Sequence, residues 1–127
     1  MITKFKAAIK EFGDTCRRLS EALREKKTEM VRDAAIKRFE LAFDLAWKTI
    51  KAFLETEGVA CASPRNCFKE AYRQGLIEYD DVWMSLVEVR NSTVHTYNEH
   101  LADEVYGKLP GALEAFEKLL KALEKKQ

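Results

Sequence analysis

Arg90-Asn91-Ser92-Thr93-Val94-His95-Thr96-Tyr97 places a guanidinium, an amide, an imidazole and a phenol within eight residues. Such groups handle phosphates and protons. Histidine titrates near neutrality, so His95 can take a proton from a ribose 2′-hydroxyl or return one to a leaving 5′-oxygen. Arg90 can hold two non-bridging phosphate oxygens and stabilise the charge that builds on them. That is enough for RNA cleavage by internal transfer, which needs no metal. One histidine does not readily act as acid and base in the same step, so a homodimer that joins two copies of the motif would complete the site.

The spacing also says where the arginine sits. Trp83, Val87, Arg90 and Val94 fall at i, i+4, i+7 and i+11, which puts Arg90 on the apolar stripe of a helix. A charge there must be paired, face a second subunit or meet a ligand, because an isolated buried charge costs on the order of several kcal/mol. The stripe is therefore expected at or beside a two-fold interface. Asn91 and His95 are i, i+4 neighbours on one face, whereas Arg90 and His95 lie about 140° apart on a regular helix. One straight helix cannot aim both at one atom. Either the helix ends near His95 and the chain turns, as Thr96, Tyr97 and Asn98 allow, or a two-fold related copy supplies the missing group. The alternative is that His95 caps the helix C-terminus and Arg90 pairs with a neighbouring acid.

Other chemistries are poorly supplied. His95 and His100 are the only histidines, and their spacing from Glu99, Asp103 and Glu104 matches no recognised zinc or two-metal pattern. There is no glycine-rich phosphate loop. No metal and no cofactor are expected.

The elements that must position the motif are helical. The 127 residues are 34% charged and 46% hydrophobic with two prolines and five glycines, the composition of one soluble helical domain over 1–127. Ile2, Phe5, Ile9, Phe12, Cys16, Leu19 and Leu23 predict a one-sided helix through about Lys27. A second helix is predicted over 29–57, with Ile36, Phe39, Phe43, Trp47, Ile50 and Leu54 inward and Gly58 ending it. Ser63-Pro64 reads as an N-cap followed by proline in the first turn of a short helix closed by Gly75. The fourth helix begins at Asp80 or Asp81 and runs into the motif. The last is marked by Leu109, Leu113, Phe116, Leu120 and Leu123, with Leu101 and Val105 in register to extend it backwards and Pro110-Gly111 expected to kink or split it. The result is an all-α, up-and-down antiparallel bundle of four long helices plus one short one.

No segment approaches the ~20 apolar residues that span a bilayer, and the N-terminus has no signal-peptide pattern, so a cytoplasmic protein is expected. Cys16, Cys61 and Cys67 are odd in number and lack zinc-site spacing, which makes them small core residues or free thiols. Net charge is +1, but it is unevenly spread: residues 1–38 hold eleven Lys/Arg against six Asp/Glu, while residues 75–106 hold seven acids and only Arg90 as a fixed cation. A nucleic-acid site at Arg90 would thus draw on the basic first helix, unless both imbalances are simply solvated faces.

Arg-x4-His-x-Tyr, here Arg90, His95 and Tyr97, resembles the signature of HEPN domains of the HepT type. Arg38-Phe39-Glu40 with Trp47-Lys48, Ser63-Pro64-Arg65, and Trp83 before Arg90-Asn91 extend the resemblance over roughly residues 5–120, to the nucleotidyltransferase substrate-binding proteins that include HepT. The resemblance implies a helical-bundle homodimer paired with a minimal nucleotidyltransferase in a two-gene toxin-antitoxin module. In HepT-like toxins the Arg and His are ribonuclease residues, the polar residue after the Arg assists, and the Tyr accepts AMP from the partner, which silences the toxin. Carried over, Arg90, Asn91 and His95 are catalytic and Tyr97 is the AMP acceptor, with RNA as substrate. Other members are implied to be non-catalytic subunits that bind a nucleotide or substrate for the transferase. The acid-rich surroundings of Arg90 suit that role somewhat better than an RNA channel.

Overall fold

The computed structural model describes residues 2–78 and 80–127. Five α-helices follow one another: α1 Lys4–Arg24, α2 Glu29–Thr56, α3 Pro64–Arg73, α4 Asp80–Ser92 and α5 Glu99–Glu124, with a 3-10 turn at Thr93–His95 between the last two. The described residues contain no strand. The fold is the all-α bundle that the patterning predicts, with α3 as the short helix. At 13 residues α4 is shorter than α1, α2 and α5, because the second half of the motif leaves the helix.

Local chemistry sets the boundaries. Thr3, Thr28, Ser63 and Asn98 each accept a hydrogen bond from the backbone N–H three residues on, satisfying a donor that the first turn leaves unpaired. At the C-termini of α2 and α3, Gly58 and Gly75 both adopt φ +74°. That left-handed turn lets Val59 N–H reach the Leu54 carbonyl and Leu76 N–H reach that of Ala71. A side chain at either glycine would be strained. The first helix stops at Arg24, a turn earlier than expected, and residues 25–28 lead into the Thr28 cap.

Phe116 on α5 is the centre of the core. It meets Phe12 of α1 edge-on at 6.0 Å, stacks on Phe39 of α2 at 5.9 Å and lies 5.8 Å from Trp83 of α4. Trp83 in turn stacks on Phe68 of α3 at 4.7 Å, and Phe68 meets Phe43 of α2 at 5.7 Å. All five helices therefore share one aromatic network. Such pairs add about 0.5–1.5 kcal/mol each beyond the area they bury.

One expectation is corrected and two are made narrower. Pro110 does not split α5, since the helix runs unbroken through 26 residues. Pro110 itself is exposed. Cys61 and Cys67 are not separate thiols but a disulfide, with Cα atoms 5.1 Å apart. Cys61 lies in the loop that curls back to the first turns of α3, a proximity that no spacing rule encodes. Cys16 is the free cysteine among the described residues; burial, then the Glu117 charge, pushes its thiol up to about 12. Finally, Trp83 and Val87 are buried in this chain's own core, which leaves Arg90 and the 65% exposed Val94 as the part of the stripe open to a second copy.

One polar tie spans the bundle end. Arg32, with its side chain 5% exposed, donates from Nη1 to Glu99 Oε2 at 2.7 Å and Asp103 Oδ1 at 3.2 Å, and from Nε to Asp33 at 3.0 Å. Lys27 reaches the same Asp103 oxygen at 3.0 Å. The start of α2 is thereby pinned to the start of α5. The Lys27 ammonium, then the Arg32 guanidinium, hold the Asp103 carboxyl below its usual range.

Two outcomes are expected. Phe116→Ala should cost about 3–5 kcal/mol in urea unfolding, as a large core truncation does; a loss under about 1 kcal/mol would show that the aromatic network does not organise the core. Because the folded pKa of Asp103 is depressed, its stabilisation is fully present above the unfolded value, about 3.9, and is lost as pH falls through the folded value. The melting-temperature gap between wild type and Asp103→Asn should accordingly be present at neutral pH and close in strong acid. A gap independent of pH would contradict the ion-pair origin.

Candidate functional site

The motif is where a helix ends, in a run of hydroxyls bonded back to the chain. Ser92 Oγ donates to the Glu88 carbonyl at 3.0 Å, Thr93 Oγ1 to that of Arg90 at 2.7 Å, and Thr96 Oγ1 to that of Thr93 at 2.8 Å. Side chains of this type compete with the helix for its own acceptors. The backbone tightens into the 3-10 turn and reverses through 96–98, where Asn98 N–H reaches the His95 carbonyl at 3.1 Å before capping α5. Of the two routes left open by the 140° divergence, the chain takes the turn. It does not thereby join the two groups: no hydrogen bond links Arg90 to His95 among the described residues.

Arg90 instead faces α2. Its Nε and Nη2 lie 3.3 and 3.4 Å from the two oxygens of Asp44, its Nη1 donates to Thr93 Oγ1 at 3.0 Å, and Glu40 Oε2 stands 3.8 Å from Nη1. The side chain is 27% exposed, against 21% for Glu40 and 39% for Asp44. The expected pairing of a stripe arginine with neighbouring acids is therefore present, and part of the charge remains open to solvent. Lys37 Nζ stands 3.8 Å from the same Glu40 oxygen, so two carboxylates, one guanidinium and one ammonium leave the cluster formally neutral.

The other motif residues point outward. His95 and Asn91 are exposed and make no side-chain hydrogen bond among the described residues. Tyr97 is 83% exposed, and its ring stands edge-on to His95 with centroids 6.2 Å apart. The structure thus forms two groups, Arg90 with Thr93, Glu40 and Asp44, and His95 with Tyr97, linked by the 3-10 turn. Motif spacing alone does not single out Asp44. Its signal in the sequence is an acidic i, i+4 pair, Glu40 and Asp44, one residue beyond Phe39 and Phe43 on the inward stripe of α2.

Two further observations bound the site. Among the described residues no group of three His, Cys, Asp or Glu is placed to hold a metal ion. An open groove of about 1110 Å³ runs between α4 and α5 past Val82, Leu86, Val89, Gly107, Gly111 and Ala115. Ser92 of the motif borders it, whereas Arg90, Asn91, His95 and Tyr97 do not. No described helix is long and apolar enough to cross a membrane.

Known proteins share this architecture. The family model described as "Nucleotidyltransferase substrate binding protein like" matches residues 1–125. A Haemophilus influenzae protein named "Probable ribonuclease HepT" is 31% identical over 80 residues, 59% of this chain and 55% of that protein, so the chain spans about half the length of the curated relative it matches. A crystal structure from Thermus thermophilus superposes with a TM-score of 0.83 at 36% identity, covering 88% of this chain and 98% of that one. HI0074 of Haemophilus influenzae, described as revealing "the fold of a substrate binding domain of a nucleotidyltransferase", superposes with a TM-score of 0.69 at 24% identity over 94% of this chain and 96% of its own. At that identity the likeness is one of fold.

Proposed function

The chain belongs to the nucleotidyltransferase substrate-binding-like family, and from that premise we propose that it is the helical partner of a minimal nucleotidyltransferase and acts as a metal-independent endoribonuclease. The observation that carries the reading is the exposed His95–Tyr97 pair, held one turn beyond a fixed and partly open Arg90. An exposed imidazole can meet a ribose, and a partly open guanidinium can meet a phosphate. In a homodimer two such sets share one cleft. One His95 takes the 2′-hydroxyl proton as the 2′-oxygen attacks phosphorus, and the other gives a proton to the 5′-oxygen as its bond to phosphorus breaks. Arg90 stabilises the charge on the non-bridging oxygens, and Asn91, the neighbouring exposed amide, assists in binding. The products are a 2′,3′-cyclic phosphate and a 5′-hydroxyl. The relative named as a probable ribonuclease supports this chemistry, and the family description supports the nucleotidyltransferase partner.

A second reading is favoured by one specific observation. Among the described residues of one chain Arg90 is turned to Asp44, Thr93 and Glu40 and makes no hydrogen bond with His95, which suits a non-catalytic subunit that presents a nucleotide or another substrate to the transferase.

The ribonuclease reading is tested with varied RNAs in the presence of EDTA. His95→Ala should lower cleavage roughly 10²- to 10⁴-fold, and Arg90→Lys, which keeps the charge but loses the fork, should lower it strongly as well. Both variants should remain folded and dimeric by sedimentation. Cleavage that requires a metal and leaves a 3′-hydroxyl contradicts the mechanism, and no cleavage of any RNA selects the second reading.

Tyr97 is proposed as the acceptor through which the partner silences the protein. AMP on its exposed hydroxyl adds a phosphodiester charge and a nucleoside beside His95, so inhibition would be electrostatic and steric together. Mass spectrometry after co-expression with the nucleotidyltransferase should find AMP on Tyr97. Tyr97→Phe should fold normally, retain cleavage and resist the partner; modification of a different residue would remove Tyr97 from this role.

A further inference from the structure

Arginine carries five N–H donors in a planar fork. In Arg90, the Nε hydrogen and one on Nη2 face Asp44, and one on Nη1 goes to Thr93 Oγ1, whose own proton is committed to the Arg90 carbonyl. Three donors are engaged. The two left over lie one on each terminal nitrogen, the arrangement that two non-bridging phosphate oxygens accept. Among the described residues the Glu40 carboxylate stands beside them, at 3.8 Å from Nη1 and beyond hydrogen-bond length, and it is shared with Lys37 Nζ at 3.8 Å.

Asp44 itself sits in the middle of the 28-residue α2, next to Phe43, which is 2% exposed. Its backbone is thus fixed by the core, whereas Arg90 lies in the last turn of α4 just before the helix unwinds. We infer that Asp44 is a positioning residue for Arg90: it claims the Nε–Nη2 edge and fixes the fork so that the terminal nitrogens face an incoming phosphodiester. The inference rests on the phosphate-handling role proposed for Arg90. It assigns Asp44 no contact with the substrate. A carboxylate that served only as counter-ion would be displaced when the phosphate arrives, and its removal would help binding and leave turnover intact.

The two roles separate by experiment on the full chain. In 15N-labelled protein the Arg90 Nε–H signal, identified by its loss in Arg90→Lys, should be resolved and slow to exchange, and should stay so when an uncleavable 2′-O-methyl oligoribonucleotide is added. In Asp44→Asn that signal should move to the position and fast exchange of a free arginine. With cleavable RNA, Asp44→Asn should lower kcat roughly 10- to 100-fold without raising KM, since misplacement harms turnover while the lost negative charge favours an anion. Asp44→Glu should recover part of the loss. An unchanged Nε–H signal in Asp44→Asn overturns the inference, as does loss of exchange protection when the oligonucleotide binds the wild type. If the wild type cleaves no RNA, the ribonuclease reading fails, and the Nε–H signal still decides whether Asp44 positions Arg90. Melting temperatures of Asp44→Asn and Asp44→Glu equal to that of the wild type exclude a trivial folding defect; should Asp44→Asn melt early, its Nε–H signal and kcat are compared at a temperature where it is fully folded.

Discussion

Through the single ring of Phe116, α5 is bound to α1, α2 and α4 at once, and the polar site depends on that packing. Trp83 enters the same network seven residues before Arg90, two turns along the same helix face. Because Trp83 is clamped between Phe116 and Phe68, the rotation of α4 about its own axis is fixed, and with it the direction in which Arg90 leaves the helix. Phe39 and Phe43 fix α2 in the same way, and each is followed by one of the acids that face the guanidinium. The chemistry at the surface inherits its geometry from rings that never meet solvent.

Arg90 and His95 diverge on a straight helix, and the helix ends between them in a run of hydroxyls. Ser92, Thr93 and Thr96 each donate to a backbone carbonyl three or four residues back. Thr93 also accepts from Arg90, so one residue at the helix end is among those that hold the arginine. The end of the helix and the placing of the arginine thus share a side chain.

The helix count, the caps at Ser63, Gly58 and Gly75, and the helix ending inside the motif are legible in the sequence because each depends on residues within a turn or two of each other. What is not legible depends on distance in space. The Cys61–Cys67 bridge requires the loop after α2 to fold back on α3. The continuity of α5 through Pro110 depends on where that residue sits in the packed bundle, and it lies on the exposed side of the helix. Trp83, Val87, Arg90 and Val94 have the spacing of one face. The first two are in the core, Arg90 is at the boundary and Val94 is 65% exposed, because the face follows the helix only as far as the helix lasts.

The rule that singles out Arg90 applies equally to Arg32, since Arg32, Ile36, Phe39 and Phe43 repeat the same i, i+4, i+7, i+11 spacing. Periodicity offers no ground for treating them differently, yet their environments are opposite. Arg32 is 5% exposed and engages three carboxylates from α2 and α5 through Nε and Nη1, which holds two helix ends together. Arg90 is 27% exposed, engages one carboxylate and one hydroxyl within hydrogen-bond reach, and keeps a donor on each terminal nitrogen. A stripe position says only that an arginine must be answered by something. Each arginine engages three of its five donors, so it is access to the donors left over that separates a buried cation tying helices together from one open to solvent.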